Sequence, residues 1–196
     1  MYKLFGIGLP RTGTTSLSKA LRILGYRGKN YCMLSGRKET DEYKFFEVNN
    51  SFYSRYKYLF TENENSKFIL TIRDNTSWLD SVDNFQKTQI TLGIGEYKDY
   101  RTVLPNITEY TLEVMKFFND HGAMNQLLVV DLFDKGCDCI CKWKNLYEFL
   151  LPVAESGQVR PRTVLDYNEL EKFPHEVSWW DDIPDDTFVS ISAGCI

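Results

Sequence analysis

Apolar and polar positions along this chain switch between two periods, and the switches mark the elements. The run Tyr2-Lys3-Leu4-Phe5-Gly6-Ile7-Gly8 predicts a first strand. Thr14 to Leu24 then carries Leu17, Ala20, Leu21 and Leu24 at helical spacing, and Gly25 is placed to stop that helix. Residues 30–44 are polar and read as loop. Phe45-Phe46-Glu47-Val48 predicts a short strand, and Phe52 to Phe60 an aromatic helix whose rings suit a core or a cleft wall. Lys67 to Ile72 is β-branched and apolar, as a buried strand should be. Arg73 closes it, and Asp74-Asn75-Thr76-Ser77 offers cap chemistry for a helix from about Trp78. From Gln86 to Pro105 the pattern fails, and Gly93 and Gly95 point to a loop. Helical spacing resumes from Thr108 to Asn119, Gln126 to Leu132 predicts another buried strand, and Cys139 to Leu151 an amphipathic helix. The tail from Pro152 reads as irregular, with acidic residues at Asp181-Asp182 and Asp185-Asp186. Strands alternating with helices predict one α/β domain over residues 1–196, a central parallel sheet flanked by helices.

The segment between the first strand and the first helix carries chemistry. Leu9-Pro10-Arg11-Thr12-Gly13-Thr14-Thr15-Ser16 is a glycine- and hydroxyl-rich turn leading into a helix. Such a turn directs backbone N–H groups at an anion, and the helix start adds unsatisfied donors and the positive end of its dipole. Gly8, Gly13 and Thr15 match the spacing of the phosphate-binding loop G-x-x-x-x-G-K-[ST], with one break. Thr14 stands where the lysine should be, and the cation has moved to Arg11. Without that lysine a triphosphate is gripped poorly. An arginine still forks onto a phosphate or sulfate through paired N–H bonds.

Arg73 is the second feature. In a parallel sheet, ligands lie at the C-terminal strand ends, so Arg73 and the first loop are expected to face one crevice. Ser81 follows Arg73 by eight residues, inside the next helix. An arginine closing a strand is, by itself, usually a surface ion pair; beside an anion loop it gains meaning.

Together these residues resemble the sulfotransferases that use 3′-phosphoadenosine-5′-phosphosulfate (PAPS). That family's first element has a [KR]-[ST]-G-T-[TR] core, matched here by Arg11-Thr12-Gly13-Thr14-Thr15. Its second is an arginine at a strand end with a serine eight residues on, matched by Arg73 and Ser81. The likeness to a soluble branch continues through Phe68 to Asp74, Leu127 to Asp131 and Phe173-Pro174-His175, while Asn75 stands where many relatives have proline. The resemblance implies a P-loop-type fold and transfer of a sulfuryl group from PAPS to a hydroxyl or amine of a small-molecule or carbohydrate acceptor. The product would be adenosine 3′,5′-bisphosphate, and no metal is required. Pro10, Arg11, Thr12, Gly13, Thr14, Thr15 and Ser16 would bind the 5′-phosphosulfate, and Arg73 and Ser81 the 3′-phosphate. Arg11 would also be catalytic, through the charge that grows on the leaving phosphate.

A base to take the acceptor's proton is less clear. Glu47 lies between the two motifs, where the family often places an acidic or histidine base, and its neighbours Phe45, Phe46 and Val48 are expected to desolvate it. A solvated glutamate on an edge strand remains the plain alternative. His175, in the Phe173-Pro174-His175 segment, is the other candidate, and equally a turn residue. His121 beside Gly122 reads as a helix C-cap, and Asp131 as a structural hydrogen-bonding group at a strand end.

Composition narrows the partners. A net charge of −4 argues against broad nucleic-acid binding. No apolar run is long enough to span a membrane, and a first strand opening at Tyr2 leaves no room for a leader, so a cytoplasmic enzyme is expected. Five cysteines, with Cys137, Cys139 and Cys141 alternating, fit neither a zinc spacing nor a tidy disulfide framework and read as reduced thiols. Two other functions stay open. One is a nucleotide or nucleoside kinase with a degenerate loop, for which Asp131 would be the acidic partner. The other is a non-catalytic nucleotide-binding module.

Overall fold

The computed structural model describes residues 3–26, 28–31, 46–49, 52–92, 99–137 and 139–155. Among them five strands form one wholly parallel sheet: β1 (Leu4–Gly6), β2 (Gly28–Tyr31), β3 (Phe46–Asn49), β4 (Lys67–Ile72) and β5 (Leu127–Asp131). Their spatial order is β2-β3-β1-β4-β5. From β1 the chain goes to the edge at β2, returns to fill the gap with β3, then crosses to the other side of β1 for β4 and β5. That reversal opens a crevice at the C-terminal ends of β1 and β4.

Alternating side chains of the inner strands feed two cores. Leu4, Ile69 and Val130 join Leu17, Ala20, Leu21 and Leu24 of α1 (Thr14–Ile23) and Trp143, Leu146 and Leu150 of α6 (Cys139–Glu155). Phe5, Phe68 and Leu70 pack instead on Tyr56 and Leu59 of α2 (Tyr56–Glu62) and Trp78 and Val82 of α3 (Asn75–Leu92). Tyr110, Val114 and Phe118 of α5 (Ile107–Asp120) complete that second core. A sheet covered on both faces explains why the strand at Lys67–Ile72 is almost continuously apolar.

The α/β expectation holds, and several boundaries move. Helix α3 starts at Asn75, where Asp74 accepts from the Ser77 N–H at 2.9 Å. It also runs on to Leu92, through residues expected to be loop, and α4 (Tyr100–Val103) follows. Tertiary contacts hold this part. Tyr100 donates its hydroxyl to Gln89 (3.0 Å), and Arg101 grips both Asp83 oxygens at 2.7 and 2.5 Å. Asn30 and Tyr31, at the start of the expected loop, instead end the edge strand β2, made by backbone pairing to β3 rather than by β-propensity. The aromatic segment opens with a 3-10 turn at Phe52–Ser54 before α2. Helix α6 passes through Pro152 to Glu155. So late in a helix, proline removes a single bond, to the carbonyl of exposed Glu148.

The cysteine expectation is also corrected: Cys137 and Cys141 form a disulfide, with Cα atoms 5.5 Å apart. Cys137 lies just ahead of α6, so the four-residue spacing brings both sulfurs to one side of its first turn. Gly93, Gly95, His175 and the acidic tail lie outside the described residues.

Candidate active site

The crevice is built around the turn that leaves β1. Tyr110 donates its hydroxyl to the Ile7 carbonyl at 2.6 Å. Burial pushes that phenol well above the ordinary tyrosine range, so it stays a protonated donor. Gly8 comes next, and there is no room for a side chain on it. A Cβ there would stand 1.9 Å from Thr71 Oγ1 and 2.8 Å from the Thr71 carbonyl oxygen. The close approach lets buried Thr12 meet Thr71, hydroxyl to hydroxyl, at 2.6 Å, while Thr12 Oγ1 and N–H both reach the Leu9 carbonyl. Gly8→Ala is accordingly expected to destabilise the fold toward the upper end of the roughly 1–3 kcal/mol typical of overpacking. Urea-unfolding midpoints measure this, and an unchanged midpoint would contradict the packing at Gly8.

Thr12 is thus a brace of the loop, and its hydroxyl is spent inside the protein. The residues on either side are the ones positioned for an anion. Arg11 has φ 71, a left-handed backbone in a non-glycine residue, and Gly13 has φ 95. Strain of about 1–3 kcal/mol at a position like Arg11 persists only where the surroundings enforce it. They do: Trp78 Nε1 donates to the Pro10 carbonyl at 2.9 Å, and Arg73 Nη1 to the Arg11 carbonyl at 3.4 Å. Helix α1 then begins at Thr14 without a side-chain cap. The first intrahelical bond is Leu17 N–H to Gly13 carbonyl, so Thr14, Thr15 and Ser16 supply the first-turn N–H groups that no helix satisfies internally. Thr14 and Ser16 are buried and Thr15 is partly exposed.

The two sequence motifs meet here. Arg11 Nε donates to Ser81 Oγ at 3.2 Å, although the residues are 70 apart in sequence. The Arg11 guanidinium also lies over the Phe85 ring, 4.9 Å from its centre. Arg73 Nε donates to Ser77 Oγ at 3.3 Å, and Ser77 bonds onward to Asp74. That contact, with the Ser77 N–H, holds the Asp74 carboxyl below its ordinary pKa, so it is an ionised acceptor at neutral pH. Ser81 is therefore next to Arg11 in this structure, with Ser77 next to Arg73. Ser77 and Phe133 are site residues that sequence reasoning passed over. The first follows Arg73 by four residues, a readable spacing; the second is an apolar residue after a strand and carries no such signal.

Glu47 is placed by its backbone, on β3 beside Phe5 of β1, and its side chain lies outside the described residues, as does His175. His121 caps α5, its ring nitrogen 2.8 Å from the Phe117 carbonyl oxygen. Asp131 accepts from the Phe133 N–H at 2.8 Å, the structural bond expected of it.

A family model described as a sulfotransferase domain matches residues 3–47. This supports a sulfotransferase family assignment. The matched stretch is roughly a quarter of the chain. It holds β1, the Arg11 loop, α1 and β2 and ends within β3, so the sulfotransferase match covers the first anion element. Arg73, Ser77 and Ser81 lie beyond it. No curated protein matches the chain. No described helix is long and apolar enough to cross a membrane.

Proposed function

We propose that this chain, as one domain over residues 1–196, transfers the sulfuryl group of PAPS to a hydroxyl or amine of a small-molecule or carbohydrate acceptor. The observation that carries the reading is the convergence of Arg11, Ser81 and Arg73 beside the uncapped start of α1; of these, Arg11 and the start of α1 lie in the stretch that matches a sulfotransferase domain. Two guanidinium groups and a helix N-terminus suit a donor with phosphates at both ends of its ribose. Arg11 and the N–H groups of Thr14, Thr15 and Ser16 take the 5′-phosphosulfate end; Arg73, with Ser77 or Ser81, takes the 3′-phosphate. Pro10, Thr12 and Gly13 shape the loop that presents them.

The chemistry asks for alignment and charge neutralisation. The acceptor oxygen or nitrogen bonds to sulfur as the bond from sulfur to the bridging oxygen breaks. Adenosine 3′,5′-bisphosphate leaves with that electron pair, which Arg11 stabilises, and the acceptor's proton passes to a base, for which Glu47 is our assignment. None of these roles calls for a metal or a membrane, and a cytoplasmic location suits the donor.

Thermal shift with adenosine 3′,5′-bisphosphate, with ATP plus Mg²⁺ and with neither tests the reading, because a ligand held only by the folded state stabilises it. The bisphosphate should raise Tm most. A larger shift with ATP would favour a kinase instead. Arg73→Ala should weaken the bisphosphate about 10- to 100-fold, the value of one charged hydrogen-bond partner, and leave AMP close to wild type. Equal loss for both ligands would remove Arg73 from the 3′-phosphate.

A further inference from the structure

The structure assigns Phe133 as the positioning residue that aims Arg73, and through it the site's selectivity for a ligand with a 3′-phosphate; this rests on the donor reading above. Phe133 follows β5 and is anchored at both ends of its own residue. Its N–H is held by the Asp131 carboxylate at 2.8 Å, and its side chain packs against the core beneath α1 and α6. The ring borders both anion elements. The Arg73 guanidinium carbon lies 4.1 Å from the ring centre. On the loop, a Cβ built on Gly13 would meet ring carbons at 3.2 and 3.5 Å.

An arginine head is a flat fork, so its direction is set when its plane and one edge are fixed. Ser77 Oγ and the Arg11 carbonyl accept from Nε and Nη1, at two corners of the head, and fix its rotation within the plane. The Phe133 face, with the guanidinium carbon above it, fixes the other coordinate. Two of the five N–H donors are spent in those bonds, which leaves the Nη2 side of the fork for an anion. Without the ring, Arg73 keeps its charge and loses its direction. The ring also fills the space that a side chain on Gly13 would need, so one side chain borders both anion elements.

Calorimetric titration of wild type, Phe133→Leu and Phe133→Tyr with adenosine 3′,5′-bisphosphate and with AMP tests this. Leucine keeps an apolar side chain against the core and lacks the π face; tyrosine keeps both. Phe133→Leu should lose about tenfold of the preference for the bisphosphate over AMP, the scale of one partly buried cation–π contact. Its AMP affinity should stay near wild type, and Phe133→Tyr should retain the preference. A structural role alone would weaken both ligands together. If wild type prefers the bisphosphate and Phe133→Leu keeps that preference, or loses both ligands equally, the role of Phe133 is overturned while Arg73 stands. If Phe133→Tyr loses the preference as Phe133→Leu does, the π face is not what aims Arg73. If wild type itself shows no preference, the assignment of Arg73 to the 3′-phosphate fails, and the role of Phe133 with it.

Discussion

Arg11→Ala is expected to lower kcat about 10²- to 10³-fold, the cost of removing one preorganised donor from a developing anion, or roughly 2.7–4 kcal/mol of barrier. The backbone that carries Arg11 is held by Trp78 at one carbonyl and Arg73 at the next, so the side chain can change partners without the loop moving. In this structure its head rests on Ser81 and Phe85, at the helix that also follows Arg73. Binding of an anion to the loop would exchange the Ser81 hydroxyl for a charged acceptor, a stronger bond. Arg11→Lys should keep part of the rate, as a point cation without the fork. Arg11→Gly is the control for folding. It removes the side chain and also the left-handed strain at φ 71, so a rate lost in this variant at an undiminished Tm belongs to chemistry. Single-turnover rates for the three variants, set beside their melting temperatures, decide the matter. Wild-type turnover in Arg11→Ala would end the leaving-group assignment.

How far this site was legible depended on whether local chemistry or tertiary contact made each part. The Arg11 loop is written in consecutive residues: two glycines, hydroxyls and a cation after an apolar strand have few other uses, and α1 runs from Thr14 as its spacing predicts. Strand β4 is likewise where its β-branched run lies, which put Arg73 at the right place before any contact was known. Phe133 and the pairing of Arg11 with Ser81 were not legible, because both arise only when three strand ends are brought side by side. Edge strand β2 was missed for a related reason. Its residues, Gly28-Lys29-Asn30-Tyr31, owe their extended form to the neighbouring strand's backbone. The end of α3, from Gln86, was missed because its partner Tyr100, bonded to Gln89, comes from a later segment. The disulfide escaped a count of cysteines, since the deciding fact is where α6 begins.

Glu47→Gln carries the largest expected loss, a fall in sulfuryl transfer of about 10²- to 10⁴-fold, typical of a missing general base. The assignment rests on the place of Glu47 between the two donor motifs, on the strand next to β1. Glu47 sits in register with Phe5 on the strand next to β1, one position before Val48 meets Gly6, and the anion loop leaves β1 directly afterwards. Through Phe5 the register sets Glu47 level with Phe68 of β4, five residues before Arg73. Glutamine keeps the size and removes the basic oxygen, and Glu47 is outside both donor motifs. Affinity for adenosine 3′,5′-bisphosphate should thus remain close to wild type as the rate falls. The pH–rate profile should lose its acidic limb, because that limb records protonation of the base, and glutamine has nothing to protonate there. Normal turnover in Glu47→Gln at an unchanged Tm would return the residue to an ordinary strand position, and His175→Ala would then be the substitution expected to abolish the limb.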